Sequence, residues 1–130
     1  MHLMNNDEGI INNGGMSVSN AIEIKSFEFA IEIVQLTRRM MRKDESALTN
    51  QLLRSGTSIG ANVSEAQFAQ SKKDFASKMT IALKEANETK YWIRLLKEIG
   101  SISAEEANKF LLKLDEIFRL LISIVKSSKE

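Results

Sequence analysis

The fold is decided by residues 52–99, which read LLRSGTSIGANVSEAQFAQSKKDFASKMTIALKEANETKYWIRLLKEI. In the second half of this stretch, apolar or small side chains recur at alternating spacings of four and three residues. They are Phe75, Met79, Ala82, Ala86, Thr89, Ile93 and Leu96. This spacing places all of them on one stripe of a helix, which is typical of the seam of a helical bundle or coiled coil.

The first half of the stretch follows the same spacing. Its stripe consists of Leu52, Gly56, Ile59, Val63 and Ala66. The glycines Gly56 and Gly60 each weaken a helix by roughly 1 kcal/mol relative to alanine. We therefore expect a neighbouring helix to approach the backbone closely at this point, because such an approach would offset that cost.

The composition fits a single helical domain. The chain has 130 residues, no proline and only 6 glycines, which favours long unbroken helices. It has no cysteine, which excludes disulfides and thiolate metal sites and fits a reducing compartment. No apolar run approaches the ~18 residues of a membrane span, and the polar start lacks the regions of a signal peptide. The sequence therefore predicts a soluble, cytoplasmic protein.

Residues 1–20 are rich in Asn, Gly and Ser and predict a mobile N-terminal tail, whereas residues 21–130 predict the helical domain. Ser71 is expected to cap the third helix and Gly100 to end it. Ser103 with Glu106 forms a capping-box pattern at the start of the fourth helix. Four helices with short connections predict an all-α, antiparallel, up-and-down four-helix bundle.

The first helix carries two neighbouring apolar stripes. One consists of Phe27, Ile31, Val34 and Met41, and the other of Phe29, Ile33, Leu36 and Met40. Either stripe would make a suitable core face. The sequence leaves open which of them is buried.

Several polar residues and one aromatic lie beside the stripes of the second and third helices. We assign them to a polar layer that fixes the register between helices or subunits. They are Asn62, Glu65, Glu85, Glu88 and Trp92. Arg54 or Arg94 is a candidate partner for the carboxylates.

Metal and catalytic sites are not expected. A carboxylate-bridged di-iron bundle needs Glu-x-x-His pairs, and the only histidine is His2 in the tail. The same lone histidine and the absence of cysteine argue against Ser-His-Asp and Cys-His sites. The run SGTSIGAN lacks the lysine of a phosphate-binding loop. We predict a non-enzyme without a cofactor.

Basic residues gather in two segments. Residues 25–43 carry 5 basic and 2 acidic side chains and residues 71–100 carry 7 and 4, so each segment is +3. The first candidates for nucleic-acid binding are Arg38, Arg39, Arg42 and Lys43, and the second candidates are Lys73, Lys84 and Arg94. The alternative for the first group is a solvated helix end that complements the helix dipole. Charge alone favours that alternative, because the whole chain is only +1.

Five short motifs in the opening stretch resemble a known family. They are SIGAN, SEA, DF, ALKEA and ET-YW, at fixed distances within residues 52–96. The stretch is similar to proteins named for reading frames inside intervening sequences of bacterial 23S rRNA genes, also called S23 ribosomal protein-like. The resemblance implies an antiparallel four-helix bundle that assembles into a homopentameric ring. The family name describes the location of the genes and not an activity.

Two functions remain open. The first is a non-enzymatic homo-oligomer that binds RNA or a ribonucleoprotein through its basic residues. A related branch, the accessory proteins of diversity-generating retroelements, binds nucleic acid and a reverse transcriptase with a basic pentameric barrel, from which this nearly neutral chain differs. The alternative is a protein-interaction scaffold that binds no nucleic acid. Neither function requires a membrane.

Overall fold

The computed structural model describes residues 17–41 and 46–128. These residues form four helices, α1 (Val18–Met41), α2 (Ser46–Ala66), α3 (Lys72–Glu98) and α4 (Ala104–Ser128). Helix α1 begins before position 21, so the end of the predicted tail is helical, while residues 1–16 lie outside the described ranges. None of these four helices is both long and apolar enough to cross a membrane.

The predicted helix ends are found at the connections of α3. The Ser71 side chain accepts a hydrogen bond from the backbone N–H of Asp74 at 3.0 Å and caps α3. The Ser103 side chain accepts from the backbone N–H of Glu106 at 3.0 Å and caps α4. Gly100 has a φ of 80°, in the left-handed region that glycine adopts without strain. Local capping chemistry therefore decides where these helices start and stop.

The helices form an antiparallel, up-and-down four-helix bundle, as predicted. Helix α1 packs against α2 and α4, and α3 packs against α2 and α4. Ion pairs join Glu65 near the end of α2 to Lys78 near the start of α3, and Arg54 earlier in α2 to Glu85 farther along α3, so these two helices run in opposite directions. Every residue of the predicted α2 and α3 stripes is buried. The spacing of these stripes thus identified the core faces of α2 and α3 correctly.

The structure shows which stripe of α1 faces the core. All members of the stripe that begins at Phe29 are buried. The Phe29 ring contacts the Phe110 ring edge to face, with centroids 5.9 Å apart. The stripe that begins at Phe27 lies on the outer surface, where the Phe27 side chain is 67% exposed.

The two glycines of α2 lie where α1 approaches most closely. A Cβ at Gly56 would lie 2.9 Å from Cγ2 of Ile33, and a Cβ at Gly60 would lie 3.1 Å from the backbone oxygen of Ser26. Both contacts are tighter than ordinary van der Waals packing. The predicted close approach of a neighbouring helix is confirmed, and that helix is α1.

We expect Gly56→Ala to destabilise the bundle by about 1–3 kcal/mol, as overpacking does in a dense core. Ile33 is fully buried and β-branched, so it has little freedom to move away from an added methyl group. The measurement is the free energy of unfolding in urea. The control is Ser64→Ala, at an exposed position of α2. Its free energy of unfolding should stay within about 0.5 kcal/mol of the parent value. A gain in stability for Gly56→Ala, as helix propensity alone predicts, would contradict the packing role.

Candidate nucleic-acid interface

The first group of candidate residues lies at the end of α1. Arg38 and Arg39 are exposed in its last turn, whereas Arg42 and Lys43 lie outside the described residues. Nη2 of Arg39 donates to Oε2 of Glu106 on α4 at 2.7 Å, so this guanidinium is already paired. Within the described ranges, Arg38 is therefore the one member of the group that is known to lack an ion-pair partner.

The second group lies on one exposed face of α3. Lys73, Lys84 and Arg94 are all exposed. Between them, alternating steps of four and three residues add Ser77, Thr80, Asn87 and Tyr91 to the same line. We call these seven residues the basic stripe: Lys73, Ser77, Thr80, Lys84, Asn87, Tyr91 and Arg94. The stripe has the spacing of the buried α3 seam but lies on the opposite side of the helix.

The basic stripe carries cations and hydrogen-bonding groups and no carboxylate. None of Lys73, Lys84 and Arg94 has an ion-pair partner among residues 17–41 and 46–128. At 1.5 Å per residue, the stripe extends for roughly 30 Å along the helix. Lysine, arginine, serine, threonine, asparagine and tyrosine side chains are the groups that contact phosphate oxygens in nucleic-acid complexes. The stripe can therefore bind a polyanion over several phosphates.

Tyr91 gives the basic stripe an aromatic surface. Its side chain is 59% exposed, and its ring contacts Trp92 edge to face with centroids 5.0 Å apart. An exposed ring among cations can stack on an unpaired base. Sequence reasoning did not include Tyr91 among the candidate binding residues. One signal in the sequence could have identified it. The alternating spacing of four and three residues continues on the polar side of α3 through Ser77, Thr80 and Tyr91, without an acidic residue.

The candidate polar layer contains a network centred on Arg54. Nη1 of Arg54 lies 3.2 Å from Oε1 of Glu85, and the same guanidinium also donates to Glu88. Nε1 of Trp92 donates to Oε2 of Glu88 at 3.1 Å. These contacts join α2 to α3 within one chain, and the Arg54 side chain is 46% exposed. Arg54, and not Arg94, is thus the partner of the two glutamates.

The remaining members of that set lie elsewhere along the groove between α2 and α3. Nδ2 of Asn62 donates to the backbone oxygen of Ser58 in its own helix at 2.8 Å. Glu65 accepts from Nζ of Lys78 at 3.0 Å. Glu85, Glu88 and Trp92 thus share the Arg54 network, whereas Asn62 and Glu65 make separate contacts, and the five residues do not form one buried layer. A part in assembly stays a prediction for each of them.

The described residues hold no group of three or more His, Cys, Asp or Glu side chains placed to bind a metal ion. The acidic residues that lie close together, Glu85 and Glu88, are held by the Arg54 guanidinium. A carboxylate paired in this way is a poor candidate for a metal ligand, since the cation already satisfies its charge.

Comparisons with known proteins agree with this architecture. None of the curated proteins matches the chain. A crystal structure of a protein of unknown function from the S23 ribosomal protein family of Bacteroides thetaiotaomicron VPI-5482 is 47% identical, with a TM-score of 0.82 over 84% of this chain and 98% of that one. The model of the 23S rRNA-intervening sequence protein family matches residues 19–123, which include all but the last turn of the bundle. The chain is therefore a member of the 23S rRNA-intervening sequence protein family.

Proposed function

We propose that this chain is a non-enzymatic, self-associating binding module that contacts RNA or a ribonucleoprotein through the basic stripe of α3. The observation that carries the proposal is the run of cations and hydrogen-bonding groups on α3 without an intervening carboxylate, of which all but Thr80 are exposed. Thr80 is half-buried, and its hydroxyl donates to the backbone oxygen of Ala76. Such a surface suits the phosphate backbone, where affinity comes mainly from charge and depends strongly on salt. Exposed Tyr91 adds a base-stacking group, which favours RNA with unpaired bases over a regular duplex.

The near-neutral charge of the whole chain is compatible with this proposal, because the charges are not evenly mixed. Ion pairs neutralise basic groups between α1 and α4 and between α2 and α3, whereas the basic stripe keeps its three cations unpaired within the described ranges. One stripe can make only a few phosphate contacts. Self-association, as a pentamer by family resemblance, would repeat the stripe around one axis and raise the apparent affinity through multivalency.

We expect the double variant Lys84→Gln, Arg94→Gln to bind structured RNA more weakly than the parent chain. Each lost phosphate contact should lower the slope of log affinity against log salt concentration by roughly 0.7–0.9. The measurement is fluorescence anisotropy with a labelled RNA at several salt concentrations.

The matched control for that experiment is Lys109→Gln, Lys126→Gln. It removes the same charge from exposed positions of α4 that have no ion-pair partner in the described part of the chain. The control should change affinity little. An equal loss in both double variants would show that RNA senses only net charge, and an unchanged affinity in the α3 variant would rule out the stripe.

Replacement of the aromatic ring tests the stacking contribution separately. We expect Tyr91→Ala to lose about 1–3 kcal/mol of binding free energy for single-stranded or looped RNA, because one stacked base is lost. Tyr91→Phe should keep most of the affinity, since it keeps the ring. Binding that falls equally in both variants would assign the effect to the hydroxyl group instead.

The alternative function is a protein-interaction scaffold without nucleic-acid binding. The outward-facing apolar stripe of α1 that begins at Phe27 favours it, because such a surface is typical of a contact with protein. A chain that stays assembled and ignores RNA even at low salt would support this alternative and contradict the RNA proposal.

A further inference from the structure

The outer face of α1 has the pattern of a helix seam but stays largely exposed among the residues that the structure describes. Its residues advance by alternating steps of three and four, namely Ile24, Phe27, Ile31, Val34, Arg38 and Met41. The exposed fractions are 46% for Ile24, 67% for Phe27 and 44% for Ile31. We call this row the outer seam. A helix with a second apolar stripe outside the core usually has a second partner on that side.

An apolar groove lies between α3 and α4. Leu111, Leu112 and Phe118 supply its apolar wall, and Lys90 and Asp115 lie on its two sides. Its volume is about 510 Å³, and Leu112 is 74% exposed beside it. The groove is concave and mainly apolar, so it can receive the ridge of a single helix.

Asp115 beside the groove is paired with Arg119. Among the described residues, two unpaired charges beside the outer seam each lie at the height of an unpaired charge of opposite sign on the groove side. The α1–α4 ion pairs set the heights: Glu32 lies level with Lys113, and Arg39 lies level with Glu106. Glu28, one turn before Glu32, is thus level with the part of the groove where Lys90 faces Asp115.

The same relation holds near the end of α1. Arg38 lies next to Arg39 and is therefore level with the start of α4, where Glu105 is exposed. Among the described residues, Glu28, Arg38, Lys90 and Glu105 take part in no ion pair. A sideways contact without a vertical shift would bring Glu28 towards Lys90 and Arg38 towards Glu105.

We infer that the outer seam of one copy docks into the α3–α4 groove of a second copy, with its α1 parallel to the second copy's α3. The inference rests on the self-association in the proposed function and names the surfaces that carry it. The two surfaces differ, so the contact is head to tail and each copy can bind a neighbour on either side. Because the charges match without a shift along the bundle axis, successive copies stay at one height. Such a contact can close into a ring, whereas a shifted one would build a helical filament.

Three single variants test the surfaces by the mass of the RNA-free protein in light scattering. Phe27→Glu alters the outer seam, Leu112→Glu alters the groove, and Phe68→Glu alters an exposed residue at the α2–α3 turn as a control. All three side chains are more exposed than buried, so the bundle itself should fold, which circular dichroism checks. The parent and Phe68→Glu should show the mass of the same oligomer. Phe27→Glu and Leu112→Glu should each show the mass of a single chain.

Cysteine cross-linking tests the pairing directly, because the parent chain contains no cysteine. Ile31 and Leu112 lie at similar heights on the two surfaces, since α1 near Glu32 is level with Lys113. With a short bismaleimide, the double variant Ile31→Cys, Leu112→Cys should give a ladder of covalent oligomers that ends at the ring size. Each single cysteine variant should stay uncross-linked.

Several results would overturn the inference. Cross-linking of the Ile31→Cys single variant, together with an assembled Leu112→Glu, would show that two α1 helices pair with each other. A parent oligomer that survives both Phe27→Glu and Leu112→Glu, or that yields no cross-link in the double variant, would place the contact elsewhere. These variants leave the basic stripe intact and are measured without RNA. A result that contradicts the docking inference is therefore distinct from a result that contradicts RNA binding. A parent chain that is monomeric would remove the self-association itself and leave the stripe to be judged by RNA binding.

Discussion

The close contact between α1 and α2 at Gly56 and Gly60 is the constraint on which the other surfaces depend. Ile33 occupies the space that a Cβ at Gly56 would need, so the face of α1 that carries Ile33 must point into the bundle. Phe29 lies on that face and reaches Phe110 of α4. Since the two stripes of α1 lie on different sides of the helix, the burial of one leaves the other, with Phe27, in contact with solvent. Two residues without side chains thus decide which apolar surface the protein presents.

The ion pairs between α1 and α4 lie away from the basic stripe of α3. Three ion pairs join α1 to α4, through Lys25, Glu32 and Arg39 of α1. Pairs at exposed positions contribute only about 0–1 kcal/mol each, so they do little for stability. Their larger effect is on the surface, because they neutralise basic groups between α1 and α4, whereas the three cations of the basic stripe have no ion-pair partner among the described residues. A net charge of +1 therefore conceals a local basic surface.

The basic stripe and the α3–α4 groove are neighbouring features of one side of the bundle, whereas the outer seam is on α1. Docking of the seam in the groove would place the stripe of each copy beside a junction between copies. Any RNA bound along one stripe would then meet the next copy within a short distance. The proposed self-association and the proposed RNA binding would support each other in this arrangement, since neighbouring stripes act as one larger site.

The sequence by itself determined the helix limits around α3 and the buried stripes of α2 and α3. Both depend on local features: Ser71 and Gly100 act on residues a turn away, and a strict spacing places side chains on one face whatever the surroundings. Only the tertiary structure decided which stripe of α1 is buried, that Arg39 is paired with Glu106, and that Arg54 holds Glu85 and Glu88. These outcomes depend on residues far apart in the chain, and two equally apolar stripes or two equally charged arginines look alike until a neighbouring helix contacts one of them.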